Sequence, residues 1–102
     1  MSFVESSREM WLEDGHILHA LCQDDDGNWN GASIDLDRFI GNSDGWFVWD
    51  GENFSHSASD ISLDGTLLSA EMGMVDGGNR ERQGLDLNER IGNSNGELVY
   101  KG

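Results

Sequence analysis

The densest group of potential metal ligands in the sequence is the run Asp24-Asp25-Asp26-Gly27-Asn28, which has the composition of a calcium-binding loop. In such a twelve-residue loop the glycine stands sixth, and the first and last positions carry acidic ligands. Placing Gly27 sixth puts Cys22 first and Ser33 twelfth, so both required carboxylates are missing. Because Asp, Asn and Gly are also the residues of tight turns, the run predicts a turn.

The remaining candidates for metal binding or catalysis are scattered along the chain. His16, His19, His56 and Cys22 could bind a metal, but strand spacing places His19 and Cys22 on opposite faces. No Ser, His and Asp set stands at a nucleophile turn, and no glycine-rich loop opens a long helix. Nothing singles out two carboxylates for glycoside cleavage. The sequence therefore predicts no metal, no cofactor and no enzymatic activity.

The charge balance bears on which partners the chain can bind. Twenty acidic residues against six basic ones give a formal net charge of −14, which repels phosphate backbones and anionic lipid head groups. We therefore expect neither a nucleic acid nor a membrane partner.

Cysteine usage indicates the compartment. Cys22 is the single cysteine, so no disulfide can form within one chain, whereas small secreted domains are usually rich in them. The first residues carry charges where a signal peptide needs an apolar stretch, and no apolar run approaches the length of a membrane span. These observations predict a cytoplasmic protein.

The apolar pattern is that of short strands joined by hairpin turns. Ile17, His19 and Leu21 alternate with the apolar residues between them, as in a strand with two different faces. Turn dipeptides separate such segments at Asp14-Gly15, Asp26-Gly27, Asp44-Gly45, Asp64-Gly65, Gly77-Gly78 and Asn95-Gly96. Apolar residues spaced three and four apart in Leu36–Ile40 and Leu87–Ile91 predict a single 3₁₀ or short α turn after Asp35 and after Asp86.

The chain repeats itself. Ile34–Gly45 aligns with Leu85–Gly96 at an offset of 51 residues, and the match extends over nearly all of the 102 residues. Leu18, however, aligns with Leu68 at an offset of 50. The offset therefore slips by one residue and later returns to 51, and we expect both changes in loops or turns. Because a repeat of about 50 residues is near the lower size limit for independent folding, we expect one domain, 1–102, in which repeats 1–51 and 52–102 share a core.

The aromatic residues differ between the repeats. Trp49 aligns with Tyr100, which predicts a packing role common to both copies. Trp11, Trp29 and Trp46 have non-aromatic counterparts, so folding does not require them, and we expect one of them to be exposed.

One combination of residues carries a family resemblance. The sequence Ser33-Ile34-Asp35-Leu36-Asp37, then Ile40–Gly45, then an aromatic-ended strand at Trp49, all repeated 51 residues later, resembles the cyanovirin-N homology lectins. The chain departs from the founding member at its cysteines, because Ser7, Ala58 and the Met72-Gly73 region stand where three of the four would be.

The resemblance implies an all-β, pseudo-two-fold fold. Each half would be a three-stranded antiparallel sheet with a β-hairpin, and each would draw segments from both repeats. The first half would hold about 1–38 with 90–102, and the second would hold 39–89.

The resemblance also implies a function: binding of terminal α(1→2)-linked mannose in high-mannose glycans and glycoproteins, at one shallow site in each half and without catalysis. The first site would use Ser2, Glu5, Ser6, Ser7, Gln23, Asp24, Asp25, Asp26, Asn93, Ser94 and Asn95. The second would use Gly41, Asn42, Ser43, Asp44, Asn53, His56, Ser57, Met74, Val75, Asp76 and Gly77. Asn42 and Asn93 are equally compatible with a purely structural role in capping a turn.

The two sites are not equivalent in chemistry. Met74 and Val75 supply few hydrogen-bonding groups where the first half has Asp24 and Asp25, so we expect the first site to be the stronger and binding to be weak. The expected state is a monomer, with a swapped dimer across Asp50-Gly51-Glu52 as a further possibility. Two alternatives remain: a structural or protein-interaction domain that has lost sugar binding, and a weak glycoside hydrolase.

Overall fold

The computed structural model describes residues 6–101 of the chain. Ten strands follow one another in it: β1 (Ser7–Glu13), β2 (Ile17–Gln23), β3 (Trp29–Asp35), β4 (Ile40–Ser43), β5 (Trp46–Trp49), β6 (Ala58–Asp64), β7 (Leu67–Gly73), β8 (Asn79–Asp86), β9 (Ile91–Ser94) and β10 (Glu97–Tyr100). Single 3₁₀ turns lie at Leu36–Arg38, Phe54–Ser57 and Leu87–Glu89. The predicted all-β fold is confirmed, and so are the 3₁₀ turns after Asp35 and Asp86.

The strands form two three-stranded antiparallel sheets, β1-β2-β3 and β6-β7-β8, and two hairpins, β4-β5 and β9-β10. Hairpin β9-β10 comes from the second repeat, yet β10 packs against β3 of the first sheet. Strand β5 of the first repeat packs against β8 in the same way. Each sheet is therefore completed by a hairpin from the other repeat.

The predicted hairpin dipeptides adopt the backbone that tight turns require. Asp14-Gly15, Asp44-Gly45 and Asn95-Gly96 have positive φ at both residues, and Gly27, Gly65 and Gly77 have it at the glycine. Because the left-handed region costs little for Gly and least among other residues for Asn and Asp, these dipeptides fix where each strand reverses.

The core is one cluster built from both repeats. Leu18, Ala20 and Cys22 face inwards from β2, and Leu68, Ala70 and Met72 do so from β7. The cluster is completed by the fully buried side chains Leu36, Ile40, Phe54, Leu87 and Ile91, and by Leu98. Transfer of one such side chain of Leu size from water to the core stabilises the fold by about 1.5–3 kcal/mol.

Aromatic residues join the two repeats outside this cluster. The rings of Trp49 and Tyr100 stack with 5.8 Å between centroids, and Phe39 stacks on Tyr100 at 4.4 Å. The predicted packing role of Trp49 and Tyr100 is confirmed. The three tryptophans without aromatic counterparts, Trp11, Trp29 and Trp46, are all exposed, whereas we expected one.

The one-residue slip between the repeats opens in a turn, as expected, but closes inside a strand. Three residues connect β1 to β2, and two connect β6 to β7. The register between β7 and β8 then shifts between the pairs Ala70↔Gln83 and Met72↔Arg80, where Glu81 and Arg82 together lie opposite one residue. The expectation that both ends of the slip lie in loops is therefore wrong, because a β-bulge absorbs an extra residue while leaving the ladder on either side intact.

A second kind of bulge is common to both repeats. Strands β1 and β6 shift register between Arg8 and Trp11 and between Ser59 and Ser62. Each bulge contains a residue with positive φ, 56° at Glu9 and 52° at Asp60. Since both repeats carry this strained residue at equivalent positions, the bulge is a property of the fold.

Candidate functional site

The first candidate site lies where the loop after β2 meets the turn of hairpin β9-β10. Asn93 joins them, since its side-chain nitrogen Nδ2 donates to Ser6 Oγ at 2.9 Å and to the Gln23 carbonyl at 2.8 Å. Its side-chain oxygen accepts from the Gly96 amide at 2.8 Å. The side chain of Asn93 is thus occupied in holding residues that are 87 and 70 positions away, which supports the structural reading of this residue.

Asp24 organises the loop between β2 and β3. One carboxylate oxygen accepts from the amides of Asp26 at 3.0 Å and Asn28 at 2.9 Å, and the other accepts from the Asn30 side-chain amide at 2.9 Å. The hydrogen bond from Asn30, followed by those from the backbone, lowers the pKa of Asp24 below its ordinary value. The run Asp24–Asn28 is therefore an Asx-type turn closed by the Asp24 carboxylate. The turn predicted for this run is confirmed.

A shallow notch of about 190 Å³ lies between these segments. Across it, Asn95 Oδ1 accepts a hydrogen bond of 2.9 Å from the Asp25 amide. The polar groups that line the notch come from three separate parts of the chain: Ser6, Gln23, Asp24, Asp25, Asn93 and Asn95. We call this surface the first notch.

The remaining residues predicted for the first site are placed as follows. Ser7 is only 8% exposed, and its hydroxyl donates to Cys22 Sγ at 3.4 Å, so its side chain faces the core. Asp26 and Ser94 are exposed beside the first notch but do not line it. Ser2 and Glu5 lie outside the described residues.

The second half repeats the same construction. The Asn42 amide nitrogen donates to Ser57 Oγ at 2.8 Å and to the Gly73 carbonyl at 2.9 Å, and its oxygen accepts from the Gly45 amide at 2.7 Å. Asp44 takes the place of Asn95, since its carboxylate accepts from the Val75 amide at 3.0 Å. Asn42 and Asn93 therefore have the same structural role in both halves.

The side chains around this second anchor differ from those of the first notch. Met74 stands where the first half has Asp24, so its loop lacks that carboxylate. The carboxylate of Asp76 accepts a hydrogen bond of 3.0 Å from the Gly78 amide, whereas Asp24 accepts that of the equivalent Asn28 in the first half. Arg80 stands where the first half has Asn30, and its guanidinium donates to the Asp44 carbonyl and lies 4.1 Å above the Trp46 ring. The neighbouring cavity, about 370 Å³, is lined by Trp46, Met74, Asn79, Arg80, Glu81 and Gln83.

The structure separates the other residues predicted for the second site. Ser43, Val75 and Gly77 lie exposed around the Asn42 anchor or in its loop. Gly41 is buried instead against the linker between the repeats, where a Cβ would lie 2.9 Å from the Glu52 nitrogen. Asn53 and His56 contact Asp37, through the Asn53 amide at 2.7 Å and the His56 ring at 4.0 Å.

Sequence reasoning missed two side chains that shape these surfaces. Asn30 and Arg80 occupy equivalent positions in the repeats. Asn30 donates to Asp24 within the loop between β2 and β3, whereas Arg80 reaches the Asp44 carbonyl in the turn of hairpin β4-β5. The signal was the alignment itself, since one position carries an amide in one copy and a guanidinium in the other.

Sequence reasoning also missed a cluster at the junction of the repeats. His16 Nδ1 lies 2.8 Å from Asp35 Oδ1 and 3.5 Å from Asp37 Oδ2, so the three side chains have the geometry of a possible metal-binding group. Asp37 also accepts from the Ser55 amide at 3.0 Å and from its hydroxyl. These partners make the cluster a hydrogen-bonded link between the repeats, and the expectation of no metal site stays a prediction.

The hydrogen bond to Asp35 raises the pKa of His16; burial opposes it, and the Asp37 carboxylate adds to the rise. Burial raises the pKa of Asp35, but its hydrogen bonds from His16 and the Asp37 amide outweigh that effect and leave it below the ordinary value.

Among residues 6–101, no helix has the length and apolar character needed to cross a membrane.

Comparison with known proteins gives a consistent result. The CVNH domain family matches residues 3–99. A cyanovirin-N homolog from Tuber borchii is 49% identical, covering 99% of this chain and 100% of its own length. The NMR structure of the Gibberella zeae CVNH protein has a TM-score of 0.89 at 47% identity, over 98% of this chain and 97% of the other.

Two further structures of this fold were determined with sugars. Microvirin in complex with mannobiose has a TM-score of 0.85 at 25% identity, over 97% of both chains. A MoCVNH3 variant in complex with (N-GlcNAc)4 has a TM-score of 0.88 at 28% identity, over 96% of this chain and 95% of the other. With the family matched over nearly its whole length, and with interlocked sheets and hairpins like those of its relatives, this chain belongs to the cyanovirin-N homology family of lectins.

Proposed function

We propose that the chain binds terminal α(1→2)-linked mannose of high-mannose glycans, and that it does so in the first notch. The observation that carries this proposal is the convergence of Gln23, Asp24, Asp25 and Asn95 on one shallow cavity. The microvirin complex with mannobiose supports the class of ligand.

The chemistry of the first notch suits a polyol. Adjacent sugar hydroxyls both donate and accept, so they pair with carboxylates, which only accept, and with carboxamides, which do both. Asn95 uses its oxygen on the Asp25 amide, and its nitrogen is therefore the group it offers to a sugar oxygen. A neutral ligand also avoids the repulsion that the net charge of −14 imposes on anions.

The rigidity of the first notch reduces the entropic cost of binding. Asn93 and Asp24 hold its two sides by hydrogen bonds to other protein groups. Preorganised polar groups raise affinity because fewer side chains must be ordered on binding. Solvent competes for every hydroxyl, so we expect a dissociation constant in the millimolar to high micromolar range.

The second half is the weaker site in this proposal. Met74 offers no hydrogen bond where Asp24 stands in the first notch. The Arg80 guanidinium is committed to the Asp44 carbonyl and to the Trp46 ring. We expect one working mannose site per chain, and therefore little avidity for branched glycans.

The test is a titration with α(1→2)-mannobiose followed by the backbone and side-chain amide signals in ¹⁵N NMR spectra. Saturable shifts at Asp24, Asp25 and the Asn95 side chain are expected. Asn95→Asp keeps the acceptor for the Asp25 amide, as Asp44 does for Val75, but removes the donor and adds a negative charge. Loss of one such hydrogen bond, about 0.5–1.5 kcal/mol, predicts a roughly 2- to 12-fold weaker affinity.

Asp44→Asn is the matched control, because it makes the reverse change at the equivalent position of the second half. It should leave mannobiose affinity unchanged. If wild-type amides around the first notch fail to shift at saturating sugar, the chain is a CVNH domain without mannose binding, and the interaction-domain alternative takes its place. Incubation with oligomannose, analysed for shortened products, tests the hydrolase alternative.

A further inference from the structure

The outer face of the first sheet carries an aromatic surface that the second sheet lacks. Trp11 of β1 is 53% exposed, and its ring stacks on that of His19 with 4.3 Å between centroids and 9° between planes. The equivalent positions in the second repeat are Ser62 and Ser69. Because the fold forms there without an aromatic pair, Trp11 and His19 are not needed to build the sheet.

A groove of about 420 Å³ opens beside this pair. Its walls are Trp11, His19, Leu21 and Glu9, and Gly31, Ala32 and Ser33 of β3 lie along its other side. Its volume is within the range of small-molecule sites, about 300–1,000 Å³. We call it the sheet groove.

Gly31 is the residue that keeps the sheet groove open. It pairs with Leu21 across the sheet, and a Cβ built on it meets no atom within 4 Å. Packing within the fold therefore does not require a glycine at this position. A larger side chain would instead occupy the space in front of His19 and Trp11.

The hydrogen-bonding groups of the sheet groove are placed by the fold. Glu9 lies in the bulge of β1 at φ 56°, and bulges commonly redirect a side chain towards a binding surface. His19 Nε2 is held 2.7 Å from Glu13 Oε1, which fixes the ring under Trp11. Ser33 lies directly opposite His19. The sheet groove thus combines a flat aromatic wall with a carboxylate and a hydroxyl.

We propose that the sheet groove is a second carbohydrate-binding site, for neutral β-linked pyranose chains whose hydroxyls are all equatorial. Such a ring presents axial C–H bonds to a flat aromatic surface and directs its hydroxyls outwards, towards acceptors such as Glu9. The carboxylates of Glu9 and Glu13 disfavour anionic sugars. A single exposed indole with one face covered by His19 does not form the aromatic cage of ammonium sites.

The sheet groove is distinct from the first notch. His19 and Gln23 point to the same face of β2 four residues apart, which at about 3.4 Å per residue is roughly 14 Å along the strand. The polar anchors of the first notch, Asn93 and Asn95, do not line the sheet groove. Each surface can therefore be tested while the other serves as an internal reference.

The experiment is a ¹⁵N NMR titration of the full chain with cellotriose and with tri-N-acetylchitotriose. With at least one of them, we expect saturable chemical-shift changes of the Trp11 indole N–H and of the Gly31 amide, with a dissociation constant in the millimolar range. Trp11→Ser, which installs the residue of the other repeat, and Gly31→Val, which fills the sheet groove, should each weaken binding at least tenfold. Leu67→Ser is the control, because it removes an exposed apolar side chain from β7 of the second sheet that lines neither the sheet groove nor the first notch, and it should leave affinity unchanged.

Three results would overturn the assignment: no shift at Trp11 with either trisaccharide, unaltered affinity in Gly31→Val, or tighter binding of tetramethylammonium than of sugar at the same residues. Unchanged core amide signals would show that both variants fold. Mannobiose shifts at Asp25 and Asn95, measured on the same samples, report the first notch separately, so failure at one surface is distinguishable from failure at the other.

Discussion

Ser7→Cys should introduce a disulfide with Cys22 and stabilise the fold. The two residues are direct partners in the β1-β2 ladder, both are buried, and Ser7 Oγ already lies 3.4 Å from Cys22 Sγ. A bond between them closes a loop of 15 residues, which in the chain-entropy model is worth about 3 kcal/mol. For a domain of this size that corresponds to a rise in Tm of roughly 12–24 °C.

The measurement compares urea unfolding of the Ser7→Cys variant before and after reduction with dithiothreitol, followed by tryptophan fluorescence, and counts free thiols in the unfolded protein. No free thiol and a stability difference near 3 kcal/mol are expected in the oxidised form. Ala58→Cys is the matched control, because Met72 is its ladder partner and offers no thiol. Two free thiols in the Ser7→Cys variant, or equal stability of its oxidised and reduced forms, would refute the ladder register described for β1 and β2.

Two further predictions concern stability at the junction of the repeats and its dependence on pH. Gly41→Ala should lower the free energy of unfolding by about 1–3 kcal/mol, because the added Cβ would contact the backbone of the linker. The equivalent Gly92→Ala should lower it less, because its Cβ would contact only a flexible lysine side chain. Equal urea midpoints of the two variants would contradict this. His16 has its pKa raised in the folded state, so its contribution to stability is fully present below pH 6.5 and is lost as the pH rises through the folded value. The urea midpoint of the wild type should therefore fall more steeply than that of His16→Gln as the pH rises above 6.5. Parallel profiles of the two proteins would show that the hydrogen bond between His16 and Asp35 does not contribute to stability.

Much of the fold could be predicted from the sequence because its signals are local. A dipeptide such as Asn95-Gly96 determines the turn through the φ values that it tolerates, and Asp35 determines a 3₁₀ turn through a hydrogen bond two residues ahead. The duplication then provides a second, independent observation of each signal. Alternation along β2 likewise distinguishes the buried residues from those on the outer face.

The parts that could not be predicted depend on what lies opposite a residue. Ser7 and Ser6 are adjacent and chemically identical, yet one faces the core and the other the first notch. The bulge at Glu81 and Arg82 is visible only once the register of β7 and β8 is known. The role of Asn93 stayed open in the sequence because its partners are Ser6 and Gln23, which are 87 and 70 positions away.

The way each anchor asparagine reaches into the other copy has a consequence for the evolution of this architecture. Asn93 of the second copy completes a surface made mostly by the first, and Asn42 does the reverse. A lone ancestral copy would have carried fragments of two recognition surfaces and no complete one. It would have needed to self-associate before it could recognise anything, so its occupancy by ligand would have fallen steeply on dilution, and fusing the genes would have removed that dependence.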